Sequence, residues 1–252
     1  MSLPKLTIQS YTMTIPSSGK KVKFRPFLSK EEKILMMVKQ SSNSEEILSS
    51  VREIVDVCTY QKLDTKQLAL FDLEYIFLQL RAKSVGEVIE IDMKCINEVD
   101  KIIPAVEGGG DTQTIKKPCG GVIPFVINIE DIKVNVPEGH TKTISLENDI
   151  GITMRYPSVD DVEMLEANKD DDIEIIFNLI ESIYDKDQIY DVADTSKEEL
   201  QEFVDNLSTK LIEKIRKEFF YTMPTLSHTI KYKCAACGVD GEYTFSGIND
   251  FF

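Results

Sequence analysis

Four cysteines carry the chemistry that this chain's residue types allow. Cys234 and Cys237 stand in a Cys-x-x-Cys-Gly run, Lys233-Cys234-Ala235-Ala236-Cys237-Gly238. Cys95 is likewise preceded by a lysine, Lys94, and Cys119 is likewise followed by glycine, Gly120. Thiolates at this spacing suit zinc, whose structural sites take four tetrahedral ligands, commonly two from each of two knuckles. Gly238 permits the backbone conformation needed behind the second thiolate of a knuckle. Cys95 and Cys119 would form the partner knuckle, its loop expanded by residues 96–118. The cofactor of such a site is one structural Zn2+, held by Cys95, Cys119, Cys234 and Cys237. An empty remnant of an ancestral site and a set of buried reduced thiols are the alternatives. A redox Cys-x-x-Cys normally heads a helix in a βαβ setting, and here strands flank it. The fifth cysteine, Cys58, shares an apolar helical face with Val51, Ile54 and Val55 and reads as a small core residue.

The elements that must position these cysteines occur twice. Leu73, Ile76, Phe77 and Leu80 form the apolar stripe of a helix. Gly86 stops it, and Val88, Ile89 and Ile91 read as a strand running into Lys94-Cys95. Near the C-terminus, Leu200, Phe203, Val204, Leu207, Leu211, Ile215 and Phe219 predict one long amphipathic helix, followed by a strand from His228 to Cys234. Upstream, Val22–Phe24 and Gly151–Met154 are short strands. Each is followed by an arginine (Arg25, Arg155), a proline and a serine able to cap a helix. Ser29 with Glu32, Ser158 with Asp161 and Ser196 with Glu199 read as capping boxes. The first helix should bury Ile34, Leu35 and Val38. A second should begin at Ser44 and end near Cys58. In the second half, helices should bury Met164 and Leu165, then Ile176, Leu179, Ile180 and Ile183.

The fold class is therefore α+β, with two diverged pseudo-repeats. Each comprises a short strand, about three helices and a β-hairpin, and the two hairpins lie adjacent at a zinc-ribbon-like junction. Residues 1–20 form an extended N-terminal segment, 21–145 the first repeat with a loop insertion at 96–118, and 146–252 the second repeat. Residues 185–196 are an acidic connector. For Arg25 and Arg155 three roles compete: a solvated Arg whose stem covers apolar surface, a buried or semi-buried Arg holding a carboxylate or helix C-terminal carbonyls, and a partner contact. Recurrence in both halves favours the second, with Asp72 or Glu74 as the acid facing Arg25.

Composition narrows the function. The 252 residues carry a formal net charge of −14, which repels free nucleic acid. A hydrophobic share of 42% is enough for a sizeable core. No apolar run approaches the roughly 20 residues of a membrane span, and the N-terminus lacks a signal-peptide core, so the chain reads as cytoplasmic at synthesis. With two histidines and no tryptophan there is little material for His-based catalysis. No Gly-x-Ser-x-Gly or His-Glu-x-x-His is present. Gly108-Gly109-Gly110 lacks the Lys-Ser/Thr of a phosphate loop. The chain reads as non-enzymatic.

Two stretches carry a resemblance. Gly19-Lys-Lys-Val-Lys-Phe-Arg-Pro-Phe-Leu-Ser-Lys-Glu-Glu-Lys-Ile-Leu35 and Phe71-Asp-Leu-Glu-Tyr-Ile-Phe-Leu-Gln-Leu-Arg-Ala-Lys-Ser-Val-Gly-Glu87 are similar to the baseplate hub and hub-assembly proteins of T-even-type contractile-tailed bacteriophages. The ending Gly247-Ile-Asn-Asp-Phe-Phe252 fits as well. The resemblance implies a structural or assembly role in the tail baseplate, without enzymatic activity, among other phage baseplate and hub proteins. The expected setting is the host cytoplasm during assembly, then the virion tail for a hub subunit. A hub-assembly factor absent from the finished virion and a zinc-ribbon protein-binding adaptor are the other readings.

Overall fold

The computed structural model describes residues 6–38, 40, 43–103 and 113–251. Strands β1 (Tyr11–Thr14) and β2 (Lys21–Phe24) form a hairpin that closes through Ile15 and Gly19. Helices α1 (Ser29–Val38), α2 (Ser44–Cys58) and α3 (Leu70–Ser84) follow. Asn43 caps α2 by accepting the amides of Glu45 and Glu46. Gly86 lies at positive φ just past α3, and its amide bonds the Arg81 carbonyl.

Next come β3 (Val88–Lys94), β4 (Glu98–Ile103), β5 (Gln113–Pro118), β6 (Val122–Asn128), β7 (Lys133–Asn135), β8 (Thr143–Ser145) and β9 (Gly151–Met154). The remaining elements are α4 (Val162–Ala167), α5 (Asp172–Leu179), β10 (Ile180–Tyr184), β11 (Ile189–Asp191), α6 (Lys197–Asp205), α7 (Thr209–Ile215), β12 (Thr225–Lys233), β13 (Asp240–Ser246) and α8 (Gly247–Phe251). The sheets are small and antiparallel: β3 with β6, β4 with β5, β13-β12-β7, and β11-β10-β9-β8. The chain is thus a mixed α+β structure.

Helix α3 holds the centre. Leu73, Ile76, Phe77 and Leu80 pack into a core with Phe24, Val51, Val55 and Cys58. Leu78 and Ala82, on another face, pack into a second core with Phe125, Ile127, Leu226 and Phe245. A helix buried on several faces must be apolar on all of them. A third core joins Ile152, Met154, Ile176, Leu179, Val204 and Phe219. The Leu70 amide, at the start of α3, donates to the Pro157 carbonyl, and Phe71 meets Tyr156 edge to face, tying the first core to the residues after β9.

Several expectations are corrected. The helix-starting box at α1 uses Glu31 rather than Glu32: its carboxylate accepts the Leu28 amide at 2.7 Å. Of the apolar residues assigned to α1's buried face, Leu35 is buried and Ile34 is 44% exposed. The single long helix at 200–219 is interrupted. Ser208 caps a new helix, α7, by accepting the Leu211 amide, and α7 unwinds into a π-helical turn at Arg216–Phe220. Polar side chains that bond nearby backbone compete with helix continuation. Ile180 and Ile183 lie on β10, not on a helix. Ile180 and Ile183 stand three apart, the helical spacing, but pairing of β10 with β9, and of its residues 182–184 with β11 as well, makes the segment a strand. The supposed connector 185–196 accordingly holds β11. The described parts of the 96–118 insertion are two paired antiparallel strands, not irregular loop, with β-branched Val99 and Ile115 in them and Asp100 directly opposite Lys116. Gly108-Gly109-Gly110 and Phe252 fall outside the described residues.

Candidate metal centre

Both hairpins that end in cysteine build the same local backbone. In the second, the Cys234 amide donates to the Val239 carbonyl at 2.9 Å and the Gly238 amide to the Cys234 carbonyl at 2.8 Å. In the first, the Cys95 amide donates to the Gly121 carbonyl at 2.7 Å and the Gly120 amide to the Cys95 carbonyl at 3.0 Å. Gly120 and Gly238 have φ of 69° and 73°, a conformation glycine adopts without a Cβ penalty. The β4–β5 hairpin leaves the first knuckle after Asn97 and returns at Cys119, where the Cys119 amide bonds the Asn97 carbonyl at 2.7 Å. Without that hairpin the stretch would read Cys95-Ile96-Asn97-Cys119-Gly120, the same Cys-x-x-Cys-Gly pattern as Cys234–Gly238.

The two knuckles face each other. Cys95 Sγ lies 3.8 Å from Cys237 Sγ, and Cys119 Sγ lies 3.8 Å from Cys234 Sγ. All four sulfurs lie within 4.8 Å of one another. Tetrahedral zinc with bonds of about 2.3 Å sets its sulfurs about 3.8 Å apart, so the cluster has the dimensions of a four-thiolate zinc site. Cys95 and Cys234 are buried, and Cys119 and Cys237 half-buried. The aromatic cluster beneath, Phe125 against Tyr232, Tyr243 and Phe245, holds the two hairpins face to face.

Backbone amides point at the sulfurs: Asn97 at Cys95, Gly121 at Cys119 and Val239 at Cys237. The Asn97 side-chain amide also lies 3.7 Å from Cys237 Sγ. The Val239 amide leads the effects that pull the Cys237 thiol down to about 7. At Cys95 the Asn97 amide acts in the same sense, but loss of solvent and the neighbouring thiols outweigh it and push the group up to about 12. Sulfurs this close cannot all ionise on their own, whereas a divalent cation among them would remove that repulsion. The donor set therefore fits a zinc ion.

The four cysteines singled out in the sequence are thus brought together. Asn97 and Gly121 were not singled out. Nothing around Asn97 signals its role, whereas Gly121 sits in a glycine pair directly after Cys119. A Cβ on Gly121 would lie 2.6 Å from Ala236 Cβ and 3.2 Å from Cys234 Sγ. Gly121→Ala should therefore wedge the knuckles apart, costing about 1–3 kcal/mol. Urea unfolding of the variant beside Gly120→Ala, whose Cβ would meet nothing, separates this clash from the backbone strain expected at Gly120.

Arg25 and Arg155 form a second matched pair. The Arg25 amide donates to the carbonyl of Cys58, the last residue of α2, and the Arg155 amide to that of Leu179, the last of α5. The Arg25 guanidinium bonds Glu31 Oε1 at 3.0 Å and the Pro26 carbonyl at 2.9 Å. The Arg155 guanidinium grips Asp161 with two bonds of 2.7 Å and adds the Asn178 carbonyl at 2.8 Å. Each acid also caps a helix start, Glu31 on the Leu28 amide and Asp161 on the Ser158 amide. The second reading holds, with Arg25 buried and Arg155 half-buried, but neither Asp72 nor Glu74 is the partner of Arg25. Asp72 accepts the Ser17 amide and hydroxyl, and Glu74 accepts the Ile248 amide.

Fold and site together define a mixed α+β protein with several small antiparallel sheets, in which two hairpins meet at a four-cysteine cluster able to hold zinc. The chain belongs to the T4 bacteriophage base plate protein family, whose model matches residues 8–252. No curated protein and no solved structure matches it. No helix among the described residues is long and apolar enough to cross a membrane.

Proposed function

We propose that this chain is a non-enzymatic hub subunit of a contractile bacteriophage tail baseplate, and that Cys95, Cys119, Cys234 and Cys237 hold one structural Zn2+ in it. The observation that carries the functional reading is the family match over residues 8–252. Its partners are other baseplate and hub proteins, met in the host cytoplasm during assembly and retained in the virion tail. The zinc reading rests on the 3.8 Å sulfur pairs and on the amides aimed at the thiols.

We also propose that the chain arose by duplication, residues 21–145 and 146–252 being diverged copies that follow an extended segment at 1–20. Matched knuckle hydrogen bonds support this, as do the matched Arg-to-acid bonds, six residues apart in each half. The acid equivalent to Asp161 is then Glu31.

Mass spectrometry of finished virions beside assembly intermediates tests the function. A hub subunit is present in virions in stoichiometric amounts. Presence in intermediates alone makes the chain an assembly factor. Normal baseplates from an amber mutant would sink both.

A further inference from the structure

Strands β4 and β5 pair with each other, and none of their described residues belongs to any of the three cores. A lone two-stranded pair is marginally stable in water, so this one has a face to cover. Opposite residues of an antiparallel pair share a face. On one face Val99 stands opposite Lys117, and Lys101 opposite Ile115. Both lysines are exposed, Val99 and Ile115 are half-buried, and none of the four is acidic. The other face sets Asp100 opposite Lys116 and is mixed in charge.

A second uncovered face adjoins the first. β3 and β6 turn Ile89, Ile123, Phe125 and Ile127 into the core and leave their other side in water. On that side Glu90 stands opposite Val126 and Asp92 opposite Pro124, and Lys94 opposite Val122 ends the row. Val122 and Val126 are 56% and 67% exposed, which makes an apolar stripe along β6 beside two acids on β3. Among the described residues Glu90, Asp92, Lys101 and Lys117 have no ion-pair partner.

We propose that the β4–β5 face bearing Lys101 and Lys117 docks on the outward face of β3–β6 in a second copy of this chain. Charge and spacing select that occupant. The formal net charge is −14, so two copies repel unless opposite charges meet where they touch. Lys101 and Lys117 are diagonal neighbours, about 7–8 Å apart, and Glu90 and Asp92 alternate on one strand, about 7 Å apart. Each lysine can therefore face one acid, with Val99 and Ile115 laid on the Pro124–Val126 stripe. β3 leads into β4 through Cys95, and β5 into β6 through Cys119, so both faces spring from one knuckle. A two-fold pair then covers both faces of both copies and closes on itself. The proposal stands apart from the baseplate reading, since it needs only these two faces.

Sedimentation velocity of the full-length protein over a range of concentrations is the test. The parent is expected to self-associate reversibly. Lys101→Glu with Lys117→Glu, and separately Glu90→Lys with Asp92→Lys, should each weaken association at least about tenfold, because each sets like charges face to face. An equimolar mixture of the two double variants should associate again, each supplying the charge the other lacks. In the parent, amide exchange of β4 and β5 should slow as concentration rises. A parent that stays monomeric at about 100 μM overturns the proposal, also where β4 and β5 become protected only when another baseplate protein is added. Association that both double variants retain places the contact elsewhere and overturns it as well, as does a mixture of folded variants that fails to associate. If the variants unfold, exchange in the parent decides alone, and protection of β4 and β5 that is independent of concentration overturns it.

Discussion

Cys234→Ser is expected to abolish zinc binding and to remove several kcal/mol of stability, the largest single-site loss anticipated in this chain. Structural zinc is folding free energy, with apparent values of about 10–16 kcal/mol in small zinc-finger peptides. Here hydrophobic packing around Phe125 and Leu226 also holds the junction, so the loss should be smaller than in a peptide. Cys234 is 1% exposed, and its serine replacement would leave a hydroxyl facing three thiols in an apolar setting. Elemental analysis of purified protein should give one zinc per chain in the parent and none in the variant. A strong chelator should lower the parent's melting temperature to near that of the variant. Amide exchange should rise first in β3, β6, β12 and β13, while the core around α2 and α3 stays protected longer. A parent without metal, melting as Cys234→Ser does, would leave the four cysteines as reduced thiols.

The second large effect belongs to Glu31→Ala. Arg25 and Glu31 have side chains 10% and 6% exposed, so removing the acid strands a buried guanidinium and also frees the Leu28 amide. Breaking one member of a buried pair costs about 3–5 kcal/mol. Asp161→Ala should cost less, because the Arg155 side chain is 37% exposed and water can replace part of what is lost. The pH dependence has a definite sign. Burial raises the Glu31 carboxyl, but its bonds to Arg25 and Leu28 outweigh that and hold it below its ordinary 4.5. A carboxylate depressed in the fold contributes stability that is fully present above 4.5 and is lost as pH falls through the folded value. Urea unfolding near neutral pH should show the full deficit of Glu31→Ala, and the gap to the parent should narrow below pH 4.5. A deficit under about 1 kcal/mol near neutrality would return Arg25 to the role of a solvated side chain.

The sequence by itself determined those features whose cause is local. The apolar stripe of α3, its stop at Gly86, the strands running into Cys95 and Cys234 and out of Cys119, and the Ser196–Glu199 box are written in neighbouring residues, because helix, strand and cap depend on periodicities and contacts within a few positions. The identity of the four sulfur donors was legible for the same reason: residue type and the repeated Lys-Cys and Cys-Gly flanks survive even with a hairpin inserted between Asn97 and Cys119. Tertiary structure alone decided the rest. Ile180 and Ile183, three apart, have helical spacing, and only the pairing of both with β9 and of Ile183 with β11 puts them in a strand. Arg25 could have met several acids, and the return of α2's end to its amide turns it toward Glu31 rather than Asp72. The 3.8 Å approach of Cys95 to Cys237, across 142 positions of chain, follows from Phe125 packing against Tyr232 and Phe245. Non-local packing of this kind leaves no periodic trace, because what selects it is the summed burial of side chains far apart in the chain.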